Sequence, residues 1–133
     1  MKIALVGFGK MGHMIKTCAE QCGHEVVATI DPIAQDASVV VPAGDSEAVA
    51  RAVKSSGAEG IIEFSHPSAV MANIHALLPL GIPLVVGTTG FTDEQMAENI
   101  KNVKENNVGA VISSNMAIGV NVFFNTLKKL API

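Results

Sequence analysis

The 133-residue sequence has no run of Lys or Arg, and 12 acidic against 9 basic residues leave a net charge of −3. Neither a nucleic-acid groove nor an anionic membrane surface is therefore the expected partner. No apolar stretch approaches the roughly 20 residues needed to cross a bilayer. No apolar segment with a small-residue cleavage site follows Met1–Val6, so a signal peptide is not expected. Aromatics make up only 4% and charged residues 16%, yet 49% of the chain is apolar, which excludes intrinsic disorder. The lack of an internal period excludes collagen and solenoids. Cysteine is confined to Cys18 and Cys22. They stand four apart in a predicted helix, on one face expected to be buried, as small hydrophobes rather than a disulfide or a metal pair. The remaining expectation is a soluble, cytoplasmic, mixed α/β chain forming one domain over residues 1–133, with no metal site.

Short β-rich runs alternate with helical stretches. Lys2–Val6 is an unbroken apolar run after its first residue, as expected of a strand covered on both faces. Met11, Met14, Ile15, Cys18, Ala19 and Cys22 then recur at helical spacing up to Gly23, and Met11, Met14, Met71 and Met96 are expected in the core. Glu25–Ile30 is a second strand, and Ser38–Val41 a short edge strand stopped by Pro42. Ser46–Ser55 predicts a helix. Gly60–Phe64, Ile82–Val86 and Ala110–Ser113 predict three more strands. Pro67 opens the helix after the first of these, with Val70, Met71, Ile74, Leu77 and Leu78 on one face. Thr92 with Gln95 forms a capping box for the next helix, and 117–130 closes the chain as a helix. This alternation implies right-handed crossovers and a doubly wound parallel sheet of about six strands, the Rossmann arrangement.

Gly7-Phe8-Gly9-Lys10-Met11-Gly12 is a G-x-G-x-x-G that leaves a strand and opens a helix, and Asp31 closes the second strand 19 positions after Gly12. That is the setting a dinucleotide fingerprint requires. Gly7 permits the tight turn, Gly9 lets backbone approach a pyrophosphate, and Gly12 lets helix and strand pack closely. Free N–H groups at the helix start suit phosphates, and Asp31 can accept bonds from ribose hydroxyls. An ordinary βα turn is the bland alternative. A carboxylate at Asp31 repels a 2′-phosphate, and Pro32, Ile33, Ala34 and Gln35 supply no cation; Lys10 is the one positive charge nearby. NADH is thus expected to bind at least as well as NADPH.

Three further loops follow strands: Ser65-His66-Pro67, Gly87-Thr88-Thr89-Gly90 and Ser114-Asn115-Met116. In a sheet ordered 3-2-1-4-5-6 they fall at the carboxyl edge beside or beyond the switch point, where they can meet the nicotinamide ribose and carboxamide. Ser65 and Thr88 can equally be helix caps. His13, His24 and His75 fall on predicted surfaces and are expected to be solvated.

The segments VGFGKMG (Val6–Gly12), EFSHPSAV (Glu63–Val70), VVGTTGF (Val85–Phe91) and SSNMAIGVNV (Ser113–Val122) together resemble the N-terminal domain of the 4-hydroxy-tetrahydrodipicolinate reductases of lysine and diaminopimelate biosynthesis. The resemblance implies hydride transfer from NAD(P)H to a cyclic imine derivative of dipicolinate. It assigns Gly7–Gly12 and Asp31 to the pyrophosphate and adenosine ribose. Gly87, Thr88, Thr89, Ser113, Ser114, Asn115 and Met116 would surround the nicotinamide end. Family members are about twice as long, with a second domain whose His-His-x-x-Lys-x-Asp-Ala-Pro-Ser-Gly-Thr type motif is assigned substrate carboxylate binding and proton donation. Nothing matches that motif here, so no catalytic residue is expected in this chain, which alone should bind dinucleotide and turn over little. The dicarboxylate substrate and homo-oligomer contacts are expected of the second domain. A stand-alone nucleotide sensor, or the cofactor domain of another amino-acid-pathway dehydrogenase, are the competing expectations.

Overall fold

The computed structural model describes residues 1–130. Six strands, β1 (Lys2–Val6), β2 (Glu25–Asp31), β3 (Val39–Val40), β4 (Gly60–Glu63), β5 (Leu84–Val86) and β6 (Ala110–Ile112), form one parallel sheet in the order β3-β2-β1-β4-β5-β6. Between them run α1 (Lys10–Gln21), α2 (Ser46–Ser56), α3 (Pro67–Leu77) and α4 (Asp93–Glu105), and α5 (Ile118–Leu130) follows β6. The chain turns back from β3 to β4 beside β1, so the crevice of this α/β sheet opens at the carboxyl ends of β1 and β4. The expected capping box is formed: the Gln95 amide donates to Thr92 Oγ1 at 3.2 Å and the Thr92 amide to Gln95 Oε1 at 3.0 Å. Edge strand β3 is shorter than its apolar run suggests. Ser38 is spent on crosslinks to β2, its amide donating to Thr29 Oγ1 and its hydroxyl accepting from the Thr29 amide.

The larger core lies on one face, where Ala4, Val6, Ala28, Ile30, Ile61 and Leu84 meet Val49 and Val53 of α2 and Val70, Ile74 and Leu77 of α3. The opposite face has a smaller cluster of Ile3, Leu5, Phe8 and Ala19 under α1. No other helix covers that second face among the described residues. Val111 is therefore exposed, and Ile62 and Val85 are only half-buried.

This changes the reading of α1. Only Gly12 and Ala19 of the helix are buried, with Ile15 partly so. Cys18, Cys22, Met11 and Met14 are exposed, contrary to expectation, along a shallow apolar groove shared with Ile3 and Ile62. Helical periodicity marks an apolar stripe but not whether a neighbour arrives to cover it. Met71 and Met96 are half-buried. Helix α5 contributes no buried residue, and Phe123, Phe124 and Leu127 are exposed.

Candidate functional site

Gly7 leaves β1 with φ +93°, a conformation that glycine adopts without strain. Its amide donates to the Ile30 carbonyl at 2.8 Å, and a Cβ there would overlap the Phe64 carbonyl. A Cβ on Gly12 would stand 2.5 Å from the Gly7 carbonyl oxygen, so this glycine sets the approach of α1 to the loop. Gly9 differs: an added Cβ meets nothing within 4 Å. The fold does not need a glycine there, whereas a ligand seated against the loop would. No side chain caps α1 at Gly9, and its first turn carries no acidic residue. The first-turn amides of Lys10, Met11 and Gly12 thus have no intrahelical acceptor and suit an anion.

Asp31 joins the loop to the end of β2. Its Oδ2 accepts the Phe8 amide, and its Oδ1 the Ile33 and Ala34 amides, each at 2.8 Å. Burial pushes the Asp31 pKa up, but the Ala34, Phe8 and Ile33 amides, with nearby His13, outweigh it and hold the carboxyl below its usual range. A carboxylate offers about four acceptor positions, so three internal bonds leave about one for a ligand. Phe8 contributes through its backbone; its ring is buried and stacked on His13 with centroids 4.1 Å apart. Lys10 and Met11 are exposed on the first turn.

His13 is exposed on α1, as expected, but both nitrogens of its ring face acceptors. Its Nδ1 lies 2.8 Å from the Gly9 carbonyl and its Nε2 2.7 Å from the Asp36 carboxylate. Both ring nitrogens face acceptors, which favours the doubly protonated ring. The hydrogen bond to Asp36, then that to Gly9, raises its pKa. The ring is thereby held against the glycine loop through the Gly9 carbonyl. Its position four residues after Gly9 was the available signal for it.

Glu63 is a further residue that sequence reasoning missed. It ends β4 fully buried, accepting the Ser65 hydroxyl and Asn73 Nδ2 at Oε1 and the Thr88 hydroxyl at Oε2. The Thr88 bond is 2.6 Å and the Asn73 bond 3.3 Å. Burial raises its pKa, against the bonds from Ser65, Thr88 and Asn73. A carboxylate closing the otherwise apolar run Gly60–Glu63 was the signal, because an ionisable group in a central strand must find partners. Ser65 and Thr88 are accordingly not helix caps. His66 caps α3, its Nδ1 accepting the Ser68 amide at 3.2 Å, and Thr92 caps α4.

A crevice of about 230 Å³ gathers Gly7, Gly9, Asp31, Ile33, Ser65 and His66. The Gly87–Thr89 turn lies outside its walls, next along the carboxyl edge after β5. There a Cβ on Gly87 would overlap the Phe64 ring, Thr88 is buried and Thr89 exposed. Ser113–Met116 follow edge strand β6, about 10 Å beyond β4 at ordinary strand spacing. This segment folds on itself: Asn115 Oδ1 accepts the Ala117 amide at 2.8 Å, and the Ser113 hydroxyl donates to the Asn115 carbonyl at 3.0 Å. Ser114 and Met116 are exposed. Among the described residues no group of three His, Cys, Asp or Glu side chains could hold a metal, and no helix is long and apolar enough to cross a membrane.

A family model described as "Dihydrodipicolinate reductase, N-terminus" matches residues 1–116. The chain belongs to this family. It is 48% identical to the 4-hydroxy-tetrahydrodipicolinate reductase of Methanobrevibacter smithii, over all of this chain and 54% of that protein. It is 37% identical to that of Methanocaldococcus jannaschii, over 98% of this chain and 53% of that protein. The chain spans about half the length of the curated relatives it matches. Among solved structures, a dipicolinate-bound dihydrodipicolinate reductase from Paenisporosarcina sp. TG-14 superposes with a TM-score of 0.74 at 24% identity, covering 98% of this chain and 53% of that one. A homoserine dehydrogenase from S. aureus gives 0.67 at 14% identity, over 88% and 34% of the two chains. At such identities the likeness is one of fold.

Proposed function

We propose that this chain is the NAD(P)H-binding part of a 4-hydroxy-tetrahydrodipicolinate reductase of the cytoplasm, acting in lysine and diaminopimelate biosynthesis. The observation that carries this reading is the open position at Gly9, beside uncapped amides of α1 and the charged Asp31. A dinucleotide fits these groups: its pyrophosphate would take the Lys10–Gly12 amides, and its adenosine ribose the acceptor position left on Asp31. The bound cofactor supplies the hydride. This chain's part is to hold and orient it, with Gly87, Thr88, Thr89 and Ser113–Met116 toward its nicotinamide end. Hydride addition to an imine requires a positioned proton donor, and a dicarboxylate substrate requires cations. Lys10 is on the first turn of α1, at the proposed phosphate end, so these tasks, and any homo-oligomer contacts, are assigned to the family's second domain.

NADH is proposed to bind at least as well as NADPH, because Asp31 stays ionised where a 2′-phosphate would lie. Family membership favours the reductase over another dehydrogenase's cofactor domain and over a stand-alone sensor. The test has two parts. Fluorescence titration of this chain should show saturable NADH binding, with NADPH no tighter. The protein extended to the full length of its relatives should oxidise NADH in the presence of 4-hydroxy-tetrahydrodipicolinate, while this chain alone should not. NADPH binding tighter than NADH, or reductase turnover by this chain, would refute the respective part.

A further inference from the structure

We propose that Glu63 is a positioning residue of this site, whose carboxylate bridges Ser65 after β4 to Thr88 after β5 and so fixes the turn that receives the nicotinamide end of the dinucleotide. The proposal rests on the dinucleotide reading above and adds a residue that touches no ligand.

Ser65 and Thr88 have one hydroxyl proton each, and both are given to Glu63, on different oxygens. Asn73 of α3 adds its amide to the Ser65 side, donating to Glu63 Oε1 and to Ser65 Oγ at 3.3 Å each. One buried group therefore ties a crevice wall to the neighbouring turn. The strand neighbours of Glu63 are Val6 and Val86, which offer no polar alternative. Near Thr88 the turn is also shaped by Gly87 against the Phe64 ring. Asp31 and the Thr88 turn end strands three places apart, β2 and β5, or about 14 Å at ordinary strand spacing. A dinucleotide whose adenosine ribose sits on Asp31 meets the turn with its other end.

The two oxygens make Glu63→Gln an asymmetric probe. Asn73 and Ser65 both donate to the same side, so the glutamine carbonyl must face them and its NH2 must face Thr88. The Thr88 hydroxyl must then turn its proton away and accept from that NH2, which replaces a hydrogen bond to a charged acceptor by a neutral one of reversed direction, while the Ser65 side is kept. Calorimetry on the full chain with NADH and with ADP-ribose, which lacks the nicotinamide, reads the difference. Glu63→Gln should weaken NADH about fivefold, the difference between a charged and a neutral hydrogen bond, and leave ADP-ribose within about twofold. Thr88→Val, which keeps the shape and the carboxyl but removes the donor, should show the same signature. NADH binding by both variants equal to the parent's would overturn the proposal. So would an equal loss of both ligands, the mark of a purely structural role. A parent that binds neither ligand would overturn the dinucleotide reading itself. Gly9→Ala separates the two failures: if it loses both ligands while Glu63→Gln loses neither, the site stands and the role of Glu63 does not.

Discussion

Asp31 Oδ2 accepts the amide proton of Phe8 at 2.8 Å, so the acidic end of β2 and the glycine loop after β1 form one rigid corner. The same carboxylate holds Ile33 and Ala34. Its role is thus partly internal, and its charge is kept chiefly by amides, with a smaller contribution from His13.

Removing it should act on both levels. Asp31→Ala strips three amides of their acceptor at a half-buried site, and unfolding in urea should show a loss on the order of 1–2 kcal/mol. The same variant should weaken NADH more than NADPH, because the ribose acceptor and the charge opposing a 2′-phosphate disappear together. Equal loss for both cofactors would mean that the side chain acts only through the fold.

The glycines separate into two classes. Gly7→Ala and Gly87→Ala place a Cβ against Phe64, at the former with a positive φ as well. Each should cost about 2 kcal/mol or more in thermal or urea unfolding. Gly9→Ala adds a methyl to open space and should stay within about 1 kcal/mol of the parent. Similar destabilisation by all three would show that Gly9 is needed by the fold.

Sheet order, element sequence and the glycine corner were legible because each rests on local chemistry: period, breakers, caps and a G-x-G-x-x-G between strand and helix. The exposure of Cys18, Cys22, Met11 and Met14 was not, since it depends on what covers the second sheet face. Ser65 and Thr88 stand out in the sequence as hydroxyls at strand ends, but their partner does not. Spacing locates a hydroxyl at a strand end, whereas the bond to Glu63 from 25 residues away exists only after β4 and β5 pair. His13 is the surface residue its helical position implies, but its bond to Asp36, 23 positions away, is invisible to spacing.

Glu63 gives a pH signature. Its folded pKa is raised, so the folded state holds the proton more tightly than the unfolded chain does. This contribution to stability is fully present below the unfolded value near 4.3 and is lost as pH rises through the folded value, by up to about 1.4 kcal/mol per pH unit. Glu63→Gln should flatten the unfolding free energy across that window. An unchanged pH profile would contradict the raised pKa.

The His13–Asp36 pair titrates in the opposite sense for its two members, the ring raised and the carboxyl lowered, each chiefly by the hydrogen bond between them. In Asp36→Asn the His13 resonance should titrate at lower pH than in the parent, as followed by NMR. A midpoint that does not move would show that the ring is not bonded to Asp36 in solution.

Calorimetric titration of NADH into the parent chain and into Gly9→Ala tests the central claim most directly. Saturable binding by the parent is expected, with a loss of at least about tenfold in the variant at a stability within about 1 kcal/mol of the parent's, because the methyl occupies space that only the ligand needs. Equal affinities in the two chains, or no heat from the parent at millimolar nucleotide, would contradict it.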